Sequence, residues 1–164
     1  MMNGAPAIVE ELAGGEVLVA LDATAEEAWS YFDLDGAGLV TVDDPFVEMT
    51  WDIAFRRFRV KVNGGASGNG DVAVASLDTD DFDRPIPAES IDWITDSGSA
   101  NRTNYAFTDD GNWYQYSFRT HTLESRRKVT AIRSTDGVVY RLQMLTYYDR
   151  FLISGYPTFR YVKS

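Results

Sequence analysis

The 164-residue sequence has no cysteine and a single histidine, His121. The first absence excludes disulfides, thiolate metal centres and a cysteine nucleophile. The second excludes any metal site or acid–base scheme that needs two imidazoles from one chain. Basic residues are also scarce: 15 Lys and Arg stand against 25 Asp and Glu, for a net charge of −10. Such a surface repels phosphate backbones and anionic membranes, so nucleic acid is not an expected partner. No apolar run approaches the roughly 18 residues a membrane-spanning helix needs. The opening Met1-Met2-Asn3-Gly4-Ala5-Pro6 has neither the basic nor the apolar region of an export signal. That leaves either a cytoplasmic protein or a processed form of an exported one. Neither an internal repeat nor a low-complexity tract is present.

Aromatic residues, by contrast, are plentiful, at 13% of the chain, within an ordinary globular balance of 45% apolar and 24% charged residues. The length suits one domain with a core that needs no covalent staples. The dominant period is two, which specifies strands. Glu16 to Leu21, Leu39 to Val42, Val72 to Leu77, Ile91 to Ile94, Trp113 to Tyr116, Val129 to Arg133, Val138 to Tyr148 and Phe159 to Val162 all carry it. Asp136-Gly137 is a hairpin turn between two of them. Thr24 and Glu27 have capping-box spacing, which predicts a short helix through Trp29.

In Trp51 to Val62 the residues Trp51, Ile53 and Phe55 share one face, whereas Phe58, Val60 and Val62 alternate in the opposite phase. The slip at Arg56-Arg57 predicts a β-bulge, with Arg59 and Lys61 on a wetter face. Asn63-Gly64-Gly65 then predicts a tight turn opening a glycine-rich hairpin loop to Gly70. Residues 78 to 112 are the least regular stretch, with 96 to 104 polar and mobile. In all, eight to ten strands and at most one short helix predict a mainly antiparallel all-β domain, a curled sandwich or half-barrel. Residues 1–15 form an N-terminal extension and 16–164 the domain.

Several candidate chemistries fail on spacing. The glycine tract lacks the Gly-Lys-Ser/Thr ending of a phosphate loop, and Ser67 has no nucleophile elbow. Asp78, Asp80, Asp81 and Asp83 miss the calcium-loop pattern, because Phe82 occupies a ligand position, and they read as a solvated acidic loop. Nothing near His121 resembles a nucleophile mounting, and no pair of acids stands out for glycoside cleavage. The expectation is a protein without enzymatic activity.

His121 lies in Phe118-Arg-Thr-His-Thr-Leu123, between two strands. It is either a plain surface residue or an axial ligand to a haem iron. Trp113, Tyr114, Tyr116 and Phe118, just upstream, are either core or the walls of a pocket for a flat macrocycle. Met49, Met144 and Tyr105 are the options for a second ligand, although Met144 and Met49 both read as packed side chains.

The segment Trp51-Asp-Ile-Ala-Phe-Arg-Arg-Phe-Arg-Val-Lys-Val-Asn-Gly-Gly-Ala-Ser-Gly-Asn-Gly70 resembles the hallmark of the HmuY family of haemophore-like bacterial envelope proteins. Leu21-Asp-Ala-Thr with Trp29-Ser-Tyr-Phe32, Arg133-Ser-Thr-Asp-Gly137 running on to Tyr148, and Tyr156-Pro-Thr-Phe-Arg160 resemble further family segments in the same order. The resemblance implies an HmuY-like all-β fold, export to the cell envelope or exterior, and a lipid anchor, for which this chain has no cysteine. It also implies capture of haem, or another flat hydrophobic molecule, for a TonB-dependent outer-membrane receptor. The best-known member holds haem iron between two histidines. One of those positions falls on Phe118 here, three residues before His121, and the other falls within 88–112, where there is no His or Met. His121 as metal ligand, with Trp113 and Tyr116 as haem-contacting residues, is the site this leaves. The alternative is the same fold kept as an envelope interaction or scaffold domain that binds no haem.

Overall fold

The computed structural model describes residues 6–87, 89–99 and 101–164. Residues 1–5, part of the stretch read for an export signal, lie outside them, as do Ala88 and Ala100 of the irregular stretch. Among the described residues every strand pair is antiparallel, and the fourteen strands are more numerous than expected. The larger sheet holds β1 (Ala7–Glu11), β2 (Val17–Leu21), β7 (Ala73–Ser76), β12 (Val129–Arg133), β13 (Val139–Tyr148) and β14 (Ser154–Lys163), in the order β1-β2-β14-β13-β12-β7. The smaller sheet holds β3 (Ser30–Asp33), β4 (Gly38–Val40), β5 (Ile53–Arg56) and β6 (Arg59–Val62), in the order β4-β3-β5-β6. Two separate hairpins pair β8 (Ser97–Ser99) with β9 (Arg102–Asn104), and β10 (Tyr114–Ser117) with β11 (Thr122–Ser125). Ala7–Glu11, inside the predicted extension, pairs along β2 as the edge of the larger sheet.

Alternation sets which face each strand buries. In β2, Val17, Val19 and Leu21 are buried and the residues between them are not. In β14, Gly155, Pro157, Phe159 and Tyr161 are the buried set. The two sheets meet through these faces. Phe55 of β5 stacks on Phe159 at 5.2 Å, and Phe32 of β3 meets the same ring edge-on at 5.6 Å. Burying each such ring stabilises the fold by roughly 1.5–3 kcal/mol.

Four local expectations are corrected. Residues 22–29 are not helical: the Thr24 hydroxyl and N–H both donate to Asp22 Oδ1, at 2.6 and 2.9 Å, so the expected cap is spent on an Asx turn. The phase slip at Arg56-Arg57 is a two-residue hairpin, not a bulge, with Arg56 opposite Arg59 and Phe55 opposite Val60. A two-residue turn pairs odd with even positions, so it inverts the side-chain phase just as one inserted residue does. Arg57 holds the turn at φ 55, and its N–H donates to Ala23 O at 2.7 Å.

Lys61 is buried rather than wet. Its Nζ donates to Tyr31 Oη at 2.9 Å and lies 4.5 Å from the Trp29 ring and 5.4 Å from that of Trp51. Those rings cover the face the sequence assigned to solvent, and burial pushes the ammonium pKa down to about 8. Finally, the glycine tract is no hairpin loop, since β6 and β7 belong to different sheets. It carries the chain between them, pinned by Asn63, whose Nδ2 donates to Trp51 O at 2.9 Å and whose Oδ1 accepts from Gly70 N at 3.1 Å. At Gly65, with φ 58, a Cβ would run into the carbonyl of Asp96.

Asp96 also changes the reading of the polar stretch it begins. It is fully enclosed, accepting from Val62 N at 3.1 Å, Ser67 Oγ at 2.6 Å and Ala106 N at 2.9 Å. The β8–β9 hairpin follows directly. A π-helical turn, Ala106–Asp110, then docks on β6, with Thr108 Oγ1 accepting from Val60 N at 2.8 Å. Ile91–Ile94 supplies only a single bridge, Ile94 to Val74. No α-helix occurs among the described residues.

Candidate functional site

The β5–β6 turn, the β10–β11 hairpin and the end of β13 surround an open cleft of about 720 Å³. That volume is within the usual range for small-molecule sites. Its walls are mainly aromatic. Phe58 comes from the turn, Tyr114 and Tyr116 from one face of β10, and Tyr147 and Tyr148 from β13. Phe58 and Tyr114 meet edge-on at 5.4 Å, and Tyr147 and Tyr148 at 5.5 Å. Arg57 and Arg59 bring positive charge to the cleft, and Glu26 a negative one.

Each wall is fixed by identifiable contacts. Trp113 is buried, and its Nε1 donates to Phe58 O at 3.1 Å, tying the start of β10 to the β5–β6 turn. Leu123 N donates to Tyr148 Oη at 2.9 Å, and Ser125 Oγ to Met144 O at 2.7 Å, holding β11 against β13. Arg57 Nη2 donates to Ser154 Oγ at 2.9 Å. Burial raises the pKa of Tyr147, with Arg57 pulling the other way, and burial with Asp109 raises that of Tyr114. Both phenols are therefore neutral at physiological pH.

The predicted residues fall in three places. Tyr116 lines the cleft. His121 sits beside it on the exposed tip of the β10–β11 hairpin, with Nδ1 3.3 Å from Tyr116 Oη. Trp113 lies behind the wall, 5.1 Å from the Tyr114 ring and 6.3 Å from that of Tyr147, and supports the cleft without lining it. Phe118 projects from the tip at 82% exposure. The second-ligand options are not at the cleft. Met144 is core, as expected, and Tyr105 packs on Trp29 at 5.6 Å. Met49, expected to be packed, is 46% exposed on the loop before β5.

Sequence reasoning missed Arg57, Phe58, Tyr147 and Tyr148 as site residues. The signals were present as the arginine pair at the phase slip and the Tyr-Tyr doublet ending β13, but these lie about ninety residues apart in the chain.

A second cluster, Asp33, Asp35 and Asp52, brings carboxylate oxygens within 4.8 Å of one another. Its hydrogen bonds are structural: Asp35 Oδ1 accepts from Tyr140 Oη at 2.7 Å and Ser134 Oγ at 3.0 Å, and both oxygens of Asp52 accept backbone N–H groups. The aspartates at 78, 80, 81 and 83 are exposed around a buried Phe82, over which Arg160 lies at 4.2 Å.

Comparison with known proteins found a family model, described as HmuY protein, matching residues 25–161. Among solved structures, a candidate lipoprotein from Bacteroides fragilis is 19% identical, with a TM-score of 0.70 over 99% of this chain and 96% of that one. A candidate HmuY-like heme binding protein from Bacteroides vulgatus is 18% identical, with a TM-score of 0.72 over 94% and 95%. The apo form of an HmuY analog from Tannerella forsythia is 13% identical, with a TM-score of 0.70 over 98% and 97%. At these identities the likeness establishes the shared fold. The comparison with curated proteins found no match.

Proposed function

The chain belongs to the HmuY family, and from that premise we propose that it is a binding protein that takes haem into the aromatic cleft. The observation that carries this reading is the cleft itself: five aromatic rings around a space of about 720 Å³, with a phenol and an imidazole paired at its edge. Aromatic faces suit a flat macrocycle, and guanidinium groups suit its carboxylates. Haem held there would supply an iron that accepts a nitrogen donor from the protein. His121, at the rim beyond Tyr116, is the one imidazole this chain offers. When its Nδ1–H donates to Tyr116 Oη, Nε2 keeps its lone pair for the metal. Family membership extends the proposal to an envelope protein that passes haem to an outer-membrane uptake receptor.

Titration with hemin tests the reading. A sharpened Soret band in the wild-type protein, altered by His121→Ala and by Tyr116→Phe, is the expected result. No spectral change at tens of micromolar protein overturns it. It would favour instead a haem-free interaction domain, the reading supported by the apolar hairpin tips Phe118 and Leu152, each 82% exposed.

A further inference from the structure

We propose that the cleft recognises its ligand by the carboxylate edge, through Arg57 and Arg59, and so holds a metal-free tetrapyrrole dicarboxylate much as it holds haem. The inference rests on the tetrapyrrole reading above but not on iron.

It starts from an imbalance of charge. In a chain with 25 acids and a net charge of −10, two arginines stand together at this one cleft. Among the described residues the ion pairs are Lys128 with Asp78 and Arg160 with Glu16, so neither Arg57 nor Arg59 is ion-paired. Glu26 is the acid that shares the cleft with them, and it is exposed.

The Arg57 guanidinium is also placed in advance, whereas Arg59 is exposed. Arg57 is fixed by its backbone bond to Ala23 O and its side-chain bond to Ser154 Oγ, and its guanidinium lies 5.8 Å from the Tyr147 ring centre. The Arg59 guanidinium lies 4.6 Å from the ring centre of Phe58. Each therefore stands over an aromatic wall with most of its N–H donors unused. The planar fork of a guanidinium matches a carboxylate, and holding it in place beforehand lowers the entropy lost on binding. The residues that line the cleft offer phenol oxygens but no imidazole or thioether, because His121 stands beyond Tyr116. Ring stacking and carboxylate pairing therefore supply most of the affinity, and neither needs a metal.

The test compares hemin, free-base protoporphyrin and the dimethyl ester of that porphyrin, each followed by quenching of protein fluorescence. The free base is expected to bind within about tenfold of hemin. The diester is expected to be weaker by about tenfold or more for each guanidinium–carboxylate pairing that esterification removes. Arg59→Gln should weaken both diacids by about tenfold and leave the diester unchanged. Arg57→Lys should act in the same direction, and because Arg57 also secures a turn, circular dichroism must confirm its fold. A diester as tight as the diacid, or an Arg59→Gln variant with wild-type affinities, overturns the inference while leaving haem binding intact. Strong hemin binding without free-base binding overturns it as well. Free-base binding without hemin binding sinks the haem reading and the equivalence of the two ligands, and leaves recognition by the carboxylate edge standing. Binding of none of the three sinks both.

Discussion

Asp52 shows how much one side chain carries. It is fully buried on the segment entering β5. Its Oδ2 accepts the Leu34 N–H at 2.7 Å and its Oδ1 the Thr135 N–H at 2.8 Å. Leu34 follows β3 in the smaller sheet, and Thr135 lies in the β12–β13 turn of the larger one, so one carboxylate joins both. Burial pushes its pKa up to about 6, against the two N–H donors that favour the charge, and Asp35 and Asp33 push the same way as burial. The unfolded value is near 3.9, so the folded state binds the proton more tightly. Stability from this group is full below about pH 4 and lost as pH rises through about 6. Two pH units correspond to about 3 kcal/mol.

In Asp52→Asn that slope should vanish. Stability at pH 7 should also fall by about 1–3 kcal/mol, because one backbone N–H then faces an amide N–H₂. Urea midpoints measured from pH 4 to pH 7 check both. A variant that keeps the wild-type slope between pH 4 and 6 would assign that slope to another group. Nothing in the sequence marks Asp52 among 25 acids, because its partners are backbone groups about twenty and eighty residues away.

Among the elements, legibility follows the range of the interactions that form them. β12, the Asp136-Gly137 turn and β13 were visible because alternation and turn chemistry are local. The break at Arg56-Arg57 was visible too, but its cause was not. A bulge and a two-residue hairpin both invert phase, and only the pairing of Ile53 with Val62 separates them. The site was legible on one side only. Tyr116 and His121 lie five residues apart in one hairpin, whereas the opposite wall comes from other strands through tertiary packing.

That hairpin is a two-stranded unit outside both main sheets, joined to them through Trp113, Leu123 and Ser125. Isolated two-stranded hairpins are marginally stable. Amides from Gln115 to Glu124 should therefore exchange hydrogen early, and those at the centre of β13 and β14 last. Added hemin should slow exchange in β10–β11 and leave β2 unchanged. Equal protection across all strands would overturn early opening of this hairpin, and no change with hemin in a protein that binds it would place the ligand elsewhere.

For the molecule as a whole, charge at long range opposes charge at the cleft. A chain of this size has a radius of gyration of about 15 Å. At 10 mM salt the screening length is about 30 Å, so an approaching dicarboxylate meets the whole net charge of −10 before it meets Arg57 and Arg59. At 1 M salt the length is about 3 Å, and only the contacts inside the cleft remain. Association of hemin or the free base should therefore speed up as salt is added, because long-range repulsion fades first. Dissociation should also speed up, because the guanidinium–carboxylate contacts weaken. Stopped-flow fluorescence at a series of salt concentrations separates the two. For the diester, which carries no charge, association should be nearly independent of salt. If association of the diacid instead slows steeply with salt, the two arginines dominate the field well beyond the surface. The entrance would then attract its ligand from a distance, despite Glu26 in the same cleft.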